Sequence, residues 1–327
     1  MGLTARKVRS GVNDGLRCQC LRSSGWRHVG RADMRLNSVI YRFRSATCGE
    51  QIVAKLARSS QPIDKDGGEV KREFQAMHKL QSLLPPAHQG GALTALGCLD
   101  IAGHAVLVTR WFDGKDAIRC ARGSNPSVVA AVYRLIGTLL KKLHDACPES
   151  HQEGQLDVEA KLAYLLQQYA RVWDNDAAAH ALHLLRISAP RVGLARLQWS
   201  WLHGDFKPEN VLSDGRTVVI LDTQINTHGV GTYDLASFLA HTLLASHEFG
   251  NGAIRKHYAL LDREFLAGYG ILGADGTAAL RWTQLYCLLC QFGRYLSGGI
   301  LSAGYANYRI APLFTRIAAQ LEETIAT

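Results

Sequence analysis

Trp199–Asp222 reads WSWLHGDFKPENVLSDGRTVVILD. An apolar lead-in gives way to a compact polar loop, and an apolar β-like run, Thr217–Leu221, then closes on an acid, Asp222. In the loop His203, Gly204 and Asp205 stand together, and Asn210 follows Asp205 by five residues. Gly, Asp, Pro and Asn are all turn residues, so the loop alone is compatible with an ordinary surface turn. The strand-like run that follows argues against that reading, because it places a second acid at a strand end.

Phosphoryl transfer to a hydroxyl needs few parts. One carboxylate orients the acceptor hydroxyl and takes its proton; an amide oxygen and a second carboxylate hold Mg²⁺ against the nucleotide phosphates. Asp205 and Asn210 in the loop supply the first carboxylate and the amide, and Asp222 supplies the second carboxylate. An ordinary carboxylate is a weak base near neutral pH, so Asp205 is expected to act mainly by orientation. Lys207, two residues on, is placed to stabilise charge on the transferring group. Asn210 and Asp222 are oxygen ligands, which suits a hard cation.

HGDFKPENVL followed by VILD resembles the catalytic and metal-binding segments of the aminoglycoside phosphotransferase and choline kinase family. The resemblance covers about residues 26–245. It implies an α+β, protein-kinase-like, two-lobed fold: a small antiparallel sheet with one helix as N-lobe, and a larger, mostly helical C-lobe. It also implies ATP and Mg²⁺. Lys55, in the apolar strand Gln51–Ala57, matches the family lysine that reaches the α- and β-phosphates. Such a lysine needs a carboxylate to fix its stem. Glu73, on a helix over residues 68–84, best matches that partner, with Glu69 one turn earlier. The link Ala32–Ser38 sits where a phosphate-covering loop belongs; it lacks G-x-G-x-x-G, and Asn37 and Ser38 are its candidates for phosphate contact. Asp234, in Asp234-Leu235-Ala236, matches an acid expected to brace the catalytic loop near His203, and His144 ends a helix as a packing and hydrogen-bonding residue. Two departures stand out. Gln224 occupies a position where the family commonly has an acid, which puts a two-metal arrangement in question. No Phe-Gly follows Asp222, unlike in an ordinary protein kinase.

The rest of the chain sets bounds. It has 327 residues, 47% of them hydrophobic and 20% charged, as in an ordinary globular protein. No apolar run reaches the roughly 18 residues of a membrane span, and the N-terminus lacks the apolar segment of a secretory signal. The eight Cys form no pair of CxxC motifs; scattered thiols suit a reducing, cytoplasmic setting. Cys287 and Cys290 read as a buried thiol pair in preference to a zinc site. Residues 1–31 hold six Arg and one Lys against one Asp, so +6 of the net +9 sits there. That segment reads as a solvated basic tail, with weak contact to an anionic surface as the sharper alternative. Nucleic acid is not an expected partner.

Taken in order, residues 1–24 are expected to be a disordered tail, residues 25–111 an N-lobe and residues 112–327 a C-lobe. Strands are predicted at Trp26–Arg31, Ser38–Ser45, Gln51–Ala57, Leu93–Leu99 and His104–Thr109. Helices follow at 125–144, 156–173, 177–187, Tyr233–His247, 253–269, 277–297 and 306–325. Twelve residues from Asp222 to Asp234 are too few for a phosphorylated activation segment, which favours small-molecule chemistry. The predicted acceptor is a neutral or anionic hydroxylated small molecule, such as a sugar, amino alcohol or glycan precursor, because the acids near the acceptor region are matched by Lys and Arg. An aminoglycoside kinase, a protein kinase (the loop reads Lys-Pro-Glu-Asn) and a nucleotide-binding pseudokinase regulator are the alternatives.

Overall fold

Period-two burial along Ser38–Ser45 and Gln51–Ala57 builds the first part of the molecule. The computed structural model describes residues 5–17, 25–30, 33–34, 38–57, 68–84, 90–123, 125–146, 153–168, 175–223, 227–248, 250–297 and 300–326. The chain divides into two units. Met1–Ala87, Gly91–Asp113 and Val219–Gln224 form the first; His88–Gly90, Gly114–Val218 and Ile225–Thr327 form the second.

In the first unit the elements run α1 (Ala5–Arg17), β1 (Trp26–His28), β2 (Asp33–Met34), β3 (Ser38–Ser45), β4 (Gln51–Ala57), α2 (Gly68–Leu83), β5 (Gly90–Ala92, whose first residue is assigned to the second unit), β6 (Ala95–Ile101) and β7 (His104–Arg110). The antiparallel sheet has the order β1-β3-β4-β7-β6, with β2 paired to β3. One face buries Phe43, Ile52, Ala54, Val106 and Val108 beneath Val8 and Val12 of α1. The other packs Leu107 and Ala95 against Val70 and Met77 of α2. Lys55 lies between Ala54 and Leu56 and opposite Leu107, so strand alternation turns it to the α2 face.

One expectation is corrected here. The stretch 1–24, predicted to be disordered, contains α1. Gly11 looks like a breaker in sequence, but it lies where a Cβ would come within 2.6–2.8 Å of the Ile101 side chain, so its bareness permits the packing. Within the link before β3, Asp33 and Met34 pair with Ile40 and Val39.

The second unit contains β8 (Lys115–Asp116), α3 (Ala117–Ala121), α4 (Pro126–Asp145), β9 (Glu153–Gly154), α5 (Val158–Gln168), α6 (Asp176–Leu194), β10 (Leu197–Leu202), a 3₁₀ turn (Pro208–Asn210) and β11 (Val211–Ser213). β12 (Val218–Ile220) leads to Asp222, which belongs to the first unit. β13 (Thr227–Val230), α7 (Thr232–Ser246), α8 (Gly252–Tyr269), α9 (Gly273–Ser297), α10 (Ile300–Tyr305), a π turn (Ala306–Ile310) and α11 (Ala311–Ala326) complete it.

The Asn125 side chain caps α4 by accepting from Ser127 N at 3.0 Å and Val128 N at 3.4 Å, with Pro126 at the first helical position. α4 and α8 cross in backbone contact. A Cβ on Gly137 would lie 2.0 Å from Phe265 O, and one on Gly268 would lie 2.0 Å from Arg134 O. Arg134 also pairs with Glu264 across this crossing at 2.6 Å. The core of the unit gathers Leu185, Leu285, Leu289, Phe292, Phe314 and Ile317 from α6, α9 and α11. Trp282 ties α9 to α6 by donating to Leu185 O at 2.9 Å. α6 runs past the expected stop at residue 187 and through Pro190, because Ala189 and Val192 are buried in that core. Tertiary packing there overrides the lost backbone hydrogen bond. Among the described residues no helix is long and apolar enough to cross a membrane.

Candidate active site

The loop after β10 is held from beneath. Gly204 has φ +84°, a left-handed conformation that glycine adopts without strain. The turn there aims two backbone N–H groups at one buried carboxylate: Asp234 accepts from His203 N at 2.6 Å and from Gly204 N at 3.1 Å. Asp234 is fully buried in the first turn of α7, where a carboxylate complements the helix dipole. His144, at the end of α4 and also fully buried, sits 3.3 Å from Asp234 through Nε2 and 2.8 Å from the Tyr269 hydroxyl through Nδ1. A chain from α8 through α4 to α7 thus fixes the loop backbone, as the sequence reading expects of Asp234 and His144.

On that support sit three predicted residues. Lys207 Nζ donates to Asp205 Oδ2 at 2.6 Å. Asn210 Nδ2 donates to the same Oδ2 at 3.0 Å and to Asp205 O at 2.9 Å. Asp205 Oδ1 accepts no hydrogen bond among the described residues, and the side chain is 39% exposed. One oxygen of this carboxylate is therefore fixed and the other is open. The Asn210 amide nitrogen is likewise committed, so its oxygen is the end left for a ligand.

The first unit carries the second group. Lys55 Nζ donates to Glu73 Oε1 at 2.8 Å and to Asp222 Oδ1. These partners lie 18 and 167 residues away in sequence. Asp222 has φ +49°, the left-handed region, directly after β12. Burial works to lower the Lys55 pKa, but Asp222 and Glu73 together hold it above the usual lysine value. Burial pushes the Glu73 carboxyl up to about 7, against the lowering effect of Lys55. Ser38 opens β3 opposite Ala57 and is buried. Asn37, Gln224 and the Glu69 side chain lie outside the described residues. The Arg42 guanidinium covers the Trp111 ring at 4.0 Å.

The sequence reading missed a half-open face in the second unit. Along α7 every residue is buried except Tyr233, Ser237, His241 and Leu244, which share one side of the helix. Cys287, Gln291 and Arg294 form the matching stripe on α9, and Gln291 Nε2 contacts His241 Nε2 at 3.2 Å. Burial pushes His241 down to about 4, and the charges of Lys207, Asp205 and Arg294 reach it. In sequence these residues are scattered polar positions on two apolar helices, with no motif to mark them.

Solved structures share this architecture over nearly the whole chain. A choline/ethanolamine kinase family protein from Mesorhizobium loti superposes with TM-score 0.56 at 16% identity, covering 98% of this chain and 100% of that one. A microcompartment-associated aminopropanol kinase gives 0.58 at 15% identity, covering 96% and 98%. An ethanolamine kinase from Plasmodium vivax gives 0.53 at 10% identity, covering 97% and 86%. At these identities the likeness establishes the fold, which is protein-kinase-like, α+β, with an antiparallel sheet in the N-terminal region and helices in the C-terminal region. No curated protein matches the chain in sequence. A model of the phosphotransferase enzyme family, APH, does match it over residues 37–282, and with that extent of agreement the chain belongs to this family and is a phosphotransferase.

Proposed function

We propose that the enzyme transfers the γ-phosphoryl group of ATP to a hydroxyl of a small molecule: a sugar, an amino alcohol or a glycan precursor. The observation that carries this reading is the carboxylate of Asp205, with one oxygen fixed by Lys207 and Asn210 and the other open. A carboxylate held in this way can accept a hydroxyl hydrogen bond and fix the angle of attack before taking the proton. Lys207 lies beside it, where a cation offsets charge on the transferring group. Lys55, braced by Glu73 and Asp222, serves the α- and β-phosphates.

The residues present fit a divalent cation. The Asn210 amide oxygen accepts no hydrogen bond among the described residues, and Asp222 adds an exposed carboxylate; both are hard donors. Asn210 and Asp222 would hold Mg²⁺, which when bound neutralises phosphate charge. The reading supports a location in the cytoplasm, where ATP is available.

Purified protein with Mg·ATP and a panel of sugars, amino alcohols and aminoglycosides tests the reading. Transfer to at least one acceptor is expected, and Asp205→Ala should lower kcat by about 10²–10⁴-fold while nucleotide affinity stays nearly intact. Full activity in Asp205→Ala, or phosphorylation of kanamycin-type compounds alone, would overturn it.

A further inference from the structure

The half-open faces of α7 and α9 end on a cation that has no counter-ion among the described residues. Lys161, on α5, holds its Nζ 4.4 Å from the Tyr233 ring centroid and 4.9 Å from that of Tyr286. Both rings come from the helices that carry the open stripes. Among the described residues no carboxylate lies within ion-pair reach of this ammonium, and Asp157 is the one carboxylate whose charge it feels. Burial lowers the pKa of Lys161, so its charged form is short of solvation here. Ring faces attract a cation, but less strongly than an ion pair in the same surroundings.

A second cation acts on the same groups. Arg294 acts on His241, Cys287 and Tyr233. Lys161 acts on Cys287 as well. Of the carboxylates that act on this cluster, Asp205 is the candidate base and Asp234 is bonded to the loop backbone, which leaves Asp157. A cationic acceptor would meet the Lys161 ammonium, which has no carboxylate within ion-pair reach among the described residues, whereas an anionic group would supply that counter-ion.

Building on the phosphotransferase reading above, we infer that the acceptor carries an anionic group, a carboxylate or a phosphate, which docks at Lys161 while its hydroxyl reaches Asp205. The α7 face, with Tyr233, Ser237 and His241, is the floor along which the acceptor lies. His241 is neutral at physiological pH, so it and Gln291 offer hydrogen bonds to acceptor hydroxyls without adding charge.

Four probes with one carbon skeleton test this: gluconate, glucitol 6-phosphate, glucitol and glucamine, each with the full chain and Mg·ATP. One of the two anions is expected to show kcat/KM at least tenfold above glucitol and glucamine, and which anion does so separates carboxylate from phosphate. Lys161→Met should lower that ratio about tenfold, mainly through KM, and Lys161→Arg should restore part of it. Calorimetric binding of the same probes, with and without the substitutions, is read by the same criterion if turnover is slow. Preference for glucitol or glucamine, or an unchanged ratio in Lys161→Met, overturns the inference; the phosphotransferase reading still stands if Asp205→Ala abolishes that transfer. A chain that binds no Mg·ATP and transfers to no probe overturns both.

Discussion

Lys55 shows how much a single residue depends on its partners. Alone in an apolar strand it could be an edge lysine facing water; with Glu73 and Asp222 on its ammonium it is a fixed charge. Glu73 makes that arrangement pH-sensitive. Its folded pKa of about 7 lies above the ordinary 4.5, so between these values the folded state keeps a proton that the unfolded state releases. Glu73 therefore contributes stability below about pH 4.5, and that contribution is lost as pH rises to about 7. The ion pair with Lys55 is complete only above that point. Nucleotide affinity should then rise through pH 7, and Glu73→Gln should flatten the rise; titration of a fluorescent nucleotide between pH 5.5 and 8.5 measures both. An equal pH step in the variant would assign it to another group. The grouping of the candidate site residues was legible because their spacing is local: Asp205, Lys207 and Asn210 sit within six residues of one another. The α7–α9 face was not legible, since its polar residues come from separate helices and converge only after packing.

Helices and strands were read well where burial follows a clean period, as in β3, β4, α2 and α4. They were misread where a packing contact replaced a propensity. α1 is the main case. Its Arg content and two glycines suggest a solvated tail, yet Val8 and Val12 are fully buried under the first sheet. Replacing both with Ala should cost roughly 2–4 kcal/mol, by analogy with other core truncations. Urea unfolding checks this, and an unchanged midpoint would return the segment to a solvated tail. The stop expected at residue 187 failed in the same way, because buried residues beyond it hold α6 together through Pro190. The α4 cap is a gentler test: Asn125→Ala removes an acceptor for two N–H groups and should cost about 1 kcal/mol.

At the scale of the molecule, a nucleotide that binds only the folded chain must raise its melting temperature. At 100 times Kd the gain is about 2.7 kcal/mol. Mg·ATP should produce this shift in the native chain and in Asp205→Ala but not in Lys55→Met; a shift that survives Lys55→Met would move the phosphate contacts elsewhere. The return of Val219–Gln224 to the first unit was not legible in the sequence, because only folding reveals which side of a boundary a strand end joins. The bare crossing of α4 over α8 has a wider reach than its lack of polar chemistry suggests. Gly268 directly precedes Tyr269, and the hydroxyl of that tyrosine starts the relay to His144, Asp234 and the two amides that shape the loop. A single methyl wedged into this contact would act as a lever on a fulcrum, swinging the tyrosine and loosening the far end, the loop on which Asp205 is proposed to meet the acceptor alcohol. Turnover can therefore be silenced by a spacer that touches no reactant.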